Sequence, residues 1–384
     1  MIKIIFITGS RSDYFIQRPI LNLLKKNKKF KVYIILTGAH LSKKYGYTAR
    51  IVKKDKFGSF ISIKSFYHND TLESRSLGAS KQFNKLIKII AKIKPDIAVA
   101  PYDREEAITL ALAATYNNIP VAHLGAGDKT EYNVDVLIRH AVSKLSQHLF
   151  TSTEENKNRL IKMGENRENI YNVGHTALDR YKLSKILSKK KLENFFRIPF
   201  SQKPIILFIQ HPVSNYYSEK QKNFKESLKA IDELDFPTVI IKPNSDPGSS
   251  RIIEMINNYK FKKNKHVSKF KNIPESYFVN LMRNVSLVMG NSSMGILESA
   301  IHKTPVVNIG ERQIKRQNSG NVIFVSHKKD EIIKAVKYSI YNKKYQKKLK
   351  KCKNVYGTGN SSKKIINILS KIDYKNKSLN KLFP

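Results

Sequence analysis

The stretch VMGNSSMGILESA (288–300) ends an apolar run in Gly290, Asn291, Ser292 and Ser293. A helix-period pattern follows, with Ile296, Leu297 and Ala300 on apolar positions and Glu298 among them. Small residues between a strand and a helix leave the first helical N–H groups without partners. Ser292 or Ser293 can then be an ordinary N-cap, or the N–H groups and hydroxyls can hold an anion such as phosphate. The stretch alone leaves both open. FITGSRSDYFIQRPIL (6–21) is a similar junction, with Arg11 and Asp13 on the turn and Arg18 in the helix. It lacks GxGxxG, so no dinucleotide is implied. Ser12 or Asp13 can cap the helix, while Arg11, at the carboxyl end of the first strand, is placed to reach a phosphate.

Acidic residues gather in a second region. Asp103 directly follows a strand and precedes an apolar helix; His123 ends the next strand, followed by Gly125, Gly127 and Asp128. Asp135 and Arg139 are four apart, on one helix face, and His140 is next. Each carboxylate alone reads as a cap. Three of them near strand ends read as a cluster in which one pKa rises and proton transfer becomes possible. In the second half, FIQHPVSN places His211 at a strand end that Pro212 stops. IIKPNSDPGSSRII ends another strand in Pro243, Asn244, Asp246 and Gly248, and Arg312, Gln313 and Arg316 follow a further one. Histidine, small polar residues and arginine at successive strand ends make a diphosphate cradle. The His and Asp residues lack metal-ligand spacing, and nothing implies a metal or cofactor.

The elements that must position these groups alternate. Strands are expected at 2–8, 31–36, 96–100, 120–124, 148–151 and 170–173, then at 205–209, 238–242, 286–289, 305–309 and 321–325. Helices are expected between them, at 13–27, 78–93, 104–117, 134–146 and 153–163, then at 217–233, 249–259, 275–283, 294–302, 329–340 and 361–371. Near-continuous apolar strands with helical crossovers mean buried parallel sheets. The expected fold is α/β with two doubly wound, Rossmann-like domains, 1–181 and 205–360, joined by the charged stretch 182–204. A ligand cleft is expected at the carboxyl edges of the sheets.

The 384 residues fit two domains, and 41% hydrophobic residues supply packed interiors. The single cysteine, Cys352, excludes a disulfide framework. No signal peptide or membrane-length apolar segment is evident, so a cytoplasmic protein without membrane contact is expected. The net charge of +41 raises nucleic acid as a partner. The lysines are spread along the chain without interleaved aromatics, which argues against it; the charge would still attract nucleotides.

Taken in order, TGSRSDY, PYDREEAITLALAATYNNIPVAHLGAGDKT, DVLIRHAVSKLSQHLFTSTEE, MGENRENIYNVGHTALD, QHPVS, KPNSDPG, GNSSMGILE, NIGERQIKRQNSGNVI and YGTGNSSKKIINIL resemble the UDP-N-acetylglucosamine 2-epimerases, in particular the hydrolysing branch that feeds sialic- and legionaminic-acid-type synthesis. The resemblance implies a glycosyltransferase-B type fold with a C-terminal helix, 361–384, returning to the first domain. It implies that Arg11, Asp13, His211, Asn244, Gly290, Asn291, Ser292, Ser293, Glu298 and Arg312 hold UDP. It makes Asp103, Asp128, Asp135, Arg139 and His211 the catalytic set, and a homodimer or homotetramer the assembly. Gly125 stands where relatives carry Glu or His, and Val136 where they carry a second polar residue.

The implied reaction begins with loss of UDP from C1, which acidifies the C2 proton; a carboxylate removes it. Water then adds to the glycal to give the free 2-epimeric sugar. Rival readings are a non-hydrolysing 2-epimerase, a glycosyltransferase of the same fold, and a basic nucleic-acid-binding protein. UDP-N-acetylglucosamine is the plain substrate, with a 6-deoxy diacetamido analogue as the close second.

Overall fold

IKIIFIT forms β1 (Ile2–Thr8), buried from Ile4 onward, as a strand covered on both faces must be. The computed structural model describes residues 1–65, 71–130, 134–201, 204–213, 223–375, 379 and 381. Beside β1 stand β2 (Phe30–Leu36), β3 (Ser59–Ser62), β4 (Ile97–Pro101), β5 (Val121–Ala126), β6 (His148–Thr151) and β7 (Ile170–Asn172). They form one sheet in the order β3-β2-β1-β4-β5-β6-β7, and its ladders are parallel. A second parallel sheet contains β8 (Ile206–Ile209), β9 (Thr238–Ile241), β10 (Val267–Phe270), β11 (Leu287–Gly290), β12 (Val306–Ile309) and β13 (Val322–Val325). Its order is β10-β9-β8-β11-β12-β13. Strand order reverses between β1 and β4, and again between β8 and β11. At such switch points neighbouring carboxyl-end loops diverge and leave room for a ligand.

The chain divides into two compact units. One takes in Met1–Lys129, Val134–Lys182 and Tyr356–Pro384; the other takes in Leu183–Val355. In the first unit, one face of the sheet packs Tyr14, Phe15, Leu21 and Leu24 with Ile365 and Leu369 of the C-terminal helix Ser361–Leu369. The other face packs Leu86 and Ile90 with Ala107, Leu110, Ala114 and Val142. The C-terminal helix is anchored electrostatically as well. The buried Asp179 carboxylate accepts from Ser361 N at 3.0 Å and Ser362 N at 2.7 Å, and from the Ser362 hydroxyl. A carboxylate there satisfies two orphan donors and complements the helix dipole.

Strands β3 and β10 were not expected. Both are sheet edges of four residues without a fully buried position, so neither shows a core strand's apolar run. The stretch 182–204 is more than a connection. Lys189–Phe196 is a helix with Leu192 and Phe196 buried, and Phe196 meets Phe200 and Phe270. The expected helix 217–233 is present as Phe224–Leu234; positions 217–222 lie outside the described residues.

Candidate active site

In the second unit the predicted residues sit on adjacent strand ends. Asn291, just after β11, is the hub. Its side-chain Oδ1 accepts from His211 N at 2.7 Å and its Nδ2 donates to His211 O at 2.9 Å. Its carbonyl accepts from Arg312 Nη1 at 3.2 Å and Gln313 Nε2 at 3.3 Å. Asn291 therefore fixes the His211 and Arg312 loops, with its side-chain amide paired to the His211 backbone. Gly290 has φ of +123°, and a Cβ there would lie 2.0 Å from Ile209 O, so only glycine lets β11 approach β8 this closely. Arg312 Nη2 lies 4.0 Å from Asp246 Oδ2, and Asn244 Oδ1 accepts from Asp246 N at 3.3 Å. Ser292 occupies the N-cap position before Ser293–Glu298, but its hydroxyl makes no cap hydrogen bond. Glu298 is buried at the end of that helix.

In the first unit Ser10, not Ser12 or Asp13, caps the helix Arg11–Lys26, accepting from Asp13 N. The Ser10 hydroxyl also donates to Asp13 Oδ2 at 2.7 Å. Arg11 is half-buried, and desolvation with the nearby Arg180 charge lowers its pKa to about 10. Two neighbouring guanidinium groups favour an anion beside them.

Arg139, 1% exposed, organises the acidic region. It is ion-paired with the Asp103 carboxylate and donates from Nη1 to Asp128 O at 3.0 Å. An arginine beside a carboxylate favours the ionised, proton-accepting form. Asp135 faces another arginine. Its Oδ1 lies 3.6 Å from Arg75 Nη2, which also binds Glu105 at 2.8 Å. Asp103 and Asp135 are thus each paired with an arginine, and Asp128 is tied to Arg139 through its carbonyl.

The raised carboxyl belongs to a residue the sequence reading missed. Glu106 is 3% exposed, and burial together with Glu105 pushes it up to about 8. Its Oε1 lies 1.6 Å from where a Gly9 Cβ would stand and 2.9 Å from that of Gly38, so both glycines make room for it. The signal was spacing: Glu106, Leu110 and Ala113 share the buried face of the helix Glu105–Tyr116. Gly125 is also explained. It has φ of +75° at a register shift between β5 and β6, a bulge that calls for glycine. A Cβ there would stand 2.4 Å from the Tyr102 ring, so a glutamate cannot be accommodated with Tyr102 in place.

Among the described residues no group of three or more His, Cys, Asp or Glu side chains is placed to hold a metal ion. Among the same residues no helix is long and apolar enough to cross a membrane.

Two doubly wound parallel sheets with polar side chains at their carboxyl edges define an α/β protein of the glycosyltransferase-B type. Solved structures share the fold. A UDP-GlcNAc 2-epimerase from Neisseria meningitidis, described as bound to UDP-GlcNAc, superposes with a TM-score of 0.80 at 24% identity, covering 97% of this chain and 100% of that one. The chain belongs to the UDP-N-acetylglucosamine 2-epimerase family, whose model matches residues 22–370. It is 32% identical to a hydrolysing UDP-N,N'-diacetylbacillosamine 2-epimerase of Legionella pneumophila, over 99% of this chain and 98% of that protein. It is 33% identical to a hydrolysing GDP/UDP-N,N'-diacetylbacillosamine 2-epimerase of Campylobacter jejuni, over 84% of this chain and 83% of that one.

Proposed function

We propose that the chain is a hydrolysing UDP-sugar 2-epimerase acting on a UDP-linked 2,4-diacetamido-6-deoxy sugar. The observation that carries this reading is the near end-to-end match to a relative named for that activity. A Neisseria meningitidis relative named for UDP-N-acetylglucosamine is less similar, at 26% identity, which supports placing the diacetamido sugar first. Arg312, His211, Asn244 and the Ser292–Ser293 turn hold the diphosphate and uridine, with Asn291 and Gly290 setting their loops and Glu298 behind them. Arg11 adds a cation, and Asp13 orders its turn.

The reaction breaks the C1–O bond, leaving the electron pair on UDP, while a carboxylate takes the C2 proton. Asp103 is the base in this reading, held by Arg139, and Asp128 and Asp135 serve the returning proton and the added water. Hydroxyl adds at C1 and hydrogen at C2 from the opposite face, giving the free epimer. Charge stabilisation of the departing diphosphate by preoriented donors supplies the largest rate term. Arg312→Ala should weaken UDP binding by roughly tenfold or more. Asp103→Asn should lower turnover by about 10²–10⁴-fold and leave UDP affinity intact. Calorimetry with UDP and a UDP-release assay separate the two; the reverse pattern would exchange the assigned roles. The reading also carries a cytoplasmic dimer or tetramer, which light scattering on the purified protein would test.

A further inference from the structure

Tyr102 is unusual for an aromatic residue: its backbone is left-handed, with φ of +55°, a conformation that costs a bulky side chain energy and persists only where its surroundings enforce it. It stands between β4 and Asp103. Hydrogen bonds hold it. Its N–H donates to Leu124 O at 2.9 Å. Its carbonyl accepts from His123 Nε2 at 2.6 Å, and burial lowers the His123 pKa to about 4, keeping that imidazole neutral. Its hydroxyl shares a 3.0 Å hydrogen bond with the buried Thr176 Oγ1. The ring lies against Gly125, the bulge glycine, and 5.4 Å from the His175 ring. The strain therefore sits one residue before the acid that pairs with Arg139, at a strand end facing the switch point.

We propose that Tyr102 is the positioning residue for Asp103: clamped through Thr176 and His123, it fixes the direction of the Asp103 carboxylate, and the Gly125 bulge exists to admit its ring. This rests on the reading of Asp103 as the base. Thr176 lies far along the chain from Asp103, so the phenol bond couples the β4 edge to the turn after β7. Strained backbone that neighbours over-determine is a means of preorganising a reacting group.

The test compares Tyr102→Phe, Thr176→Val, Gly125→Ala and the double variant Tyr102→Gly with Gly125→Ala. Turnover of the UDP-linked diacetamido sugar and the thermal midpoint are both measured. Tyr102→Phe and Thr176→Val should each lower kcat by about tenfold, the effect of losing one positioning hydrogen bond, with KM within about twofold. Gly125→Ala should lower both kcat and the midpoint; removing the ring in the double variant should recover part of the midpoint and none of the kcat. Wild-type kcat in both Tyr102→Phe and Thr176→Val would overturn the inference, as would a loss confined to KM, which would mean that the phenol touches substrate. A wild-type protein that releases UDP from no UDP-sugar would remove the functional reading as well, so the two failures are distinguishable.

Discussion

A carboxyl group shut away from water keeps its proton, and Glu106 is such a group, with a folded-state value of about 8. In the unfolded chain it ionises near its ordinary value of 4.5. Between these values the native state binds the proton that the unfolded state has lost. The stability this group contributes is therefore full below about pH 4.5 and is lost as pH rises toward about 8, on the order of a few kcal/mol. Glu106→Gln, neutral at every pH, should match the wild type near pH 5 and exceed it in denaturant unfolding near pH 9. Parallel pH profiles of the two proteins would contradict the assignment. Glu106 was legible in principle, through the apolar spacing of its helix face. The neighbouring charges of DREE disguised it, because acids in a first helical turn ordinarily serve the helix dipole. Asn291 stands out in the sequence by type and place, while its pairing with the His211 backbone shows only in three dimensions.

Helices and inner strands are legible where burial imposes a pattern. IKIIFIT and the helix 134–145 lie where periodicity puts them, and the candidate site residues are placed relative to their ends. Edge strands β3 and β10 carry mixed polar residues, so the two-residue period is diluted and pairing decides their state. The bulge at Gly125 was likewise invisible, since a glycine after a strand reads equally as a turn. Long-range caps are a third blind spot. Asp179 and Ser361 are far apart in sequence, yet the carboxylate holds the first turn of the C-terminal helix. Asp179→Ala should destabilise the first unit by about 1–3 kcal/mol, leaving buried donors unpaired. Asp179→Asn should recover part of the loss. Urea unfolding checks both, and an Asp179→Ala midpoint equal to the wild type would refute the capping role.

For the molecule as a whole, the charge of +41 predicts electrostatic steering of an anionic substrate. The helix Lys343–Lys351 and its flanks expose lysine after lysine, and a dianionic substrate approaches such a surface faster than a neutral one. KM for the UDP-sugar should rise several-fold between roughly 20 and 300 mM salt while kcat stays level, because screening weakens encounter rather than chemistry. A salt-independent KM would remove the steering role. The catalytic claim is tested most directly by turnover in deuterium oxide followed by proton NMR. The expected product is a free, C2-inverted amino sugar carrying deuterium at C2, with one UDP released for each. A product still joined to UDP, or a free sugar with its original C2 hydrogen and configuration, would contradict it.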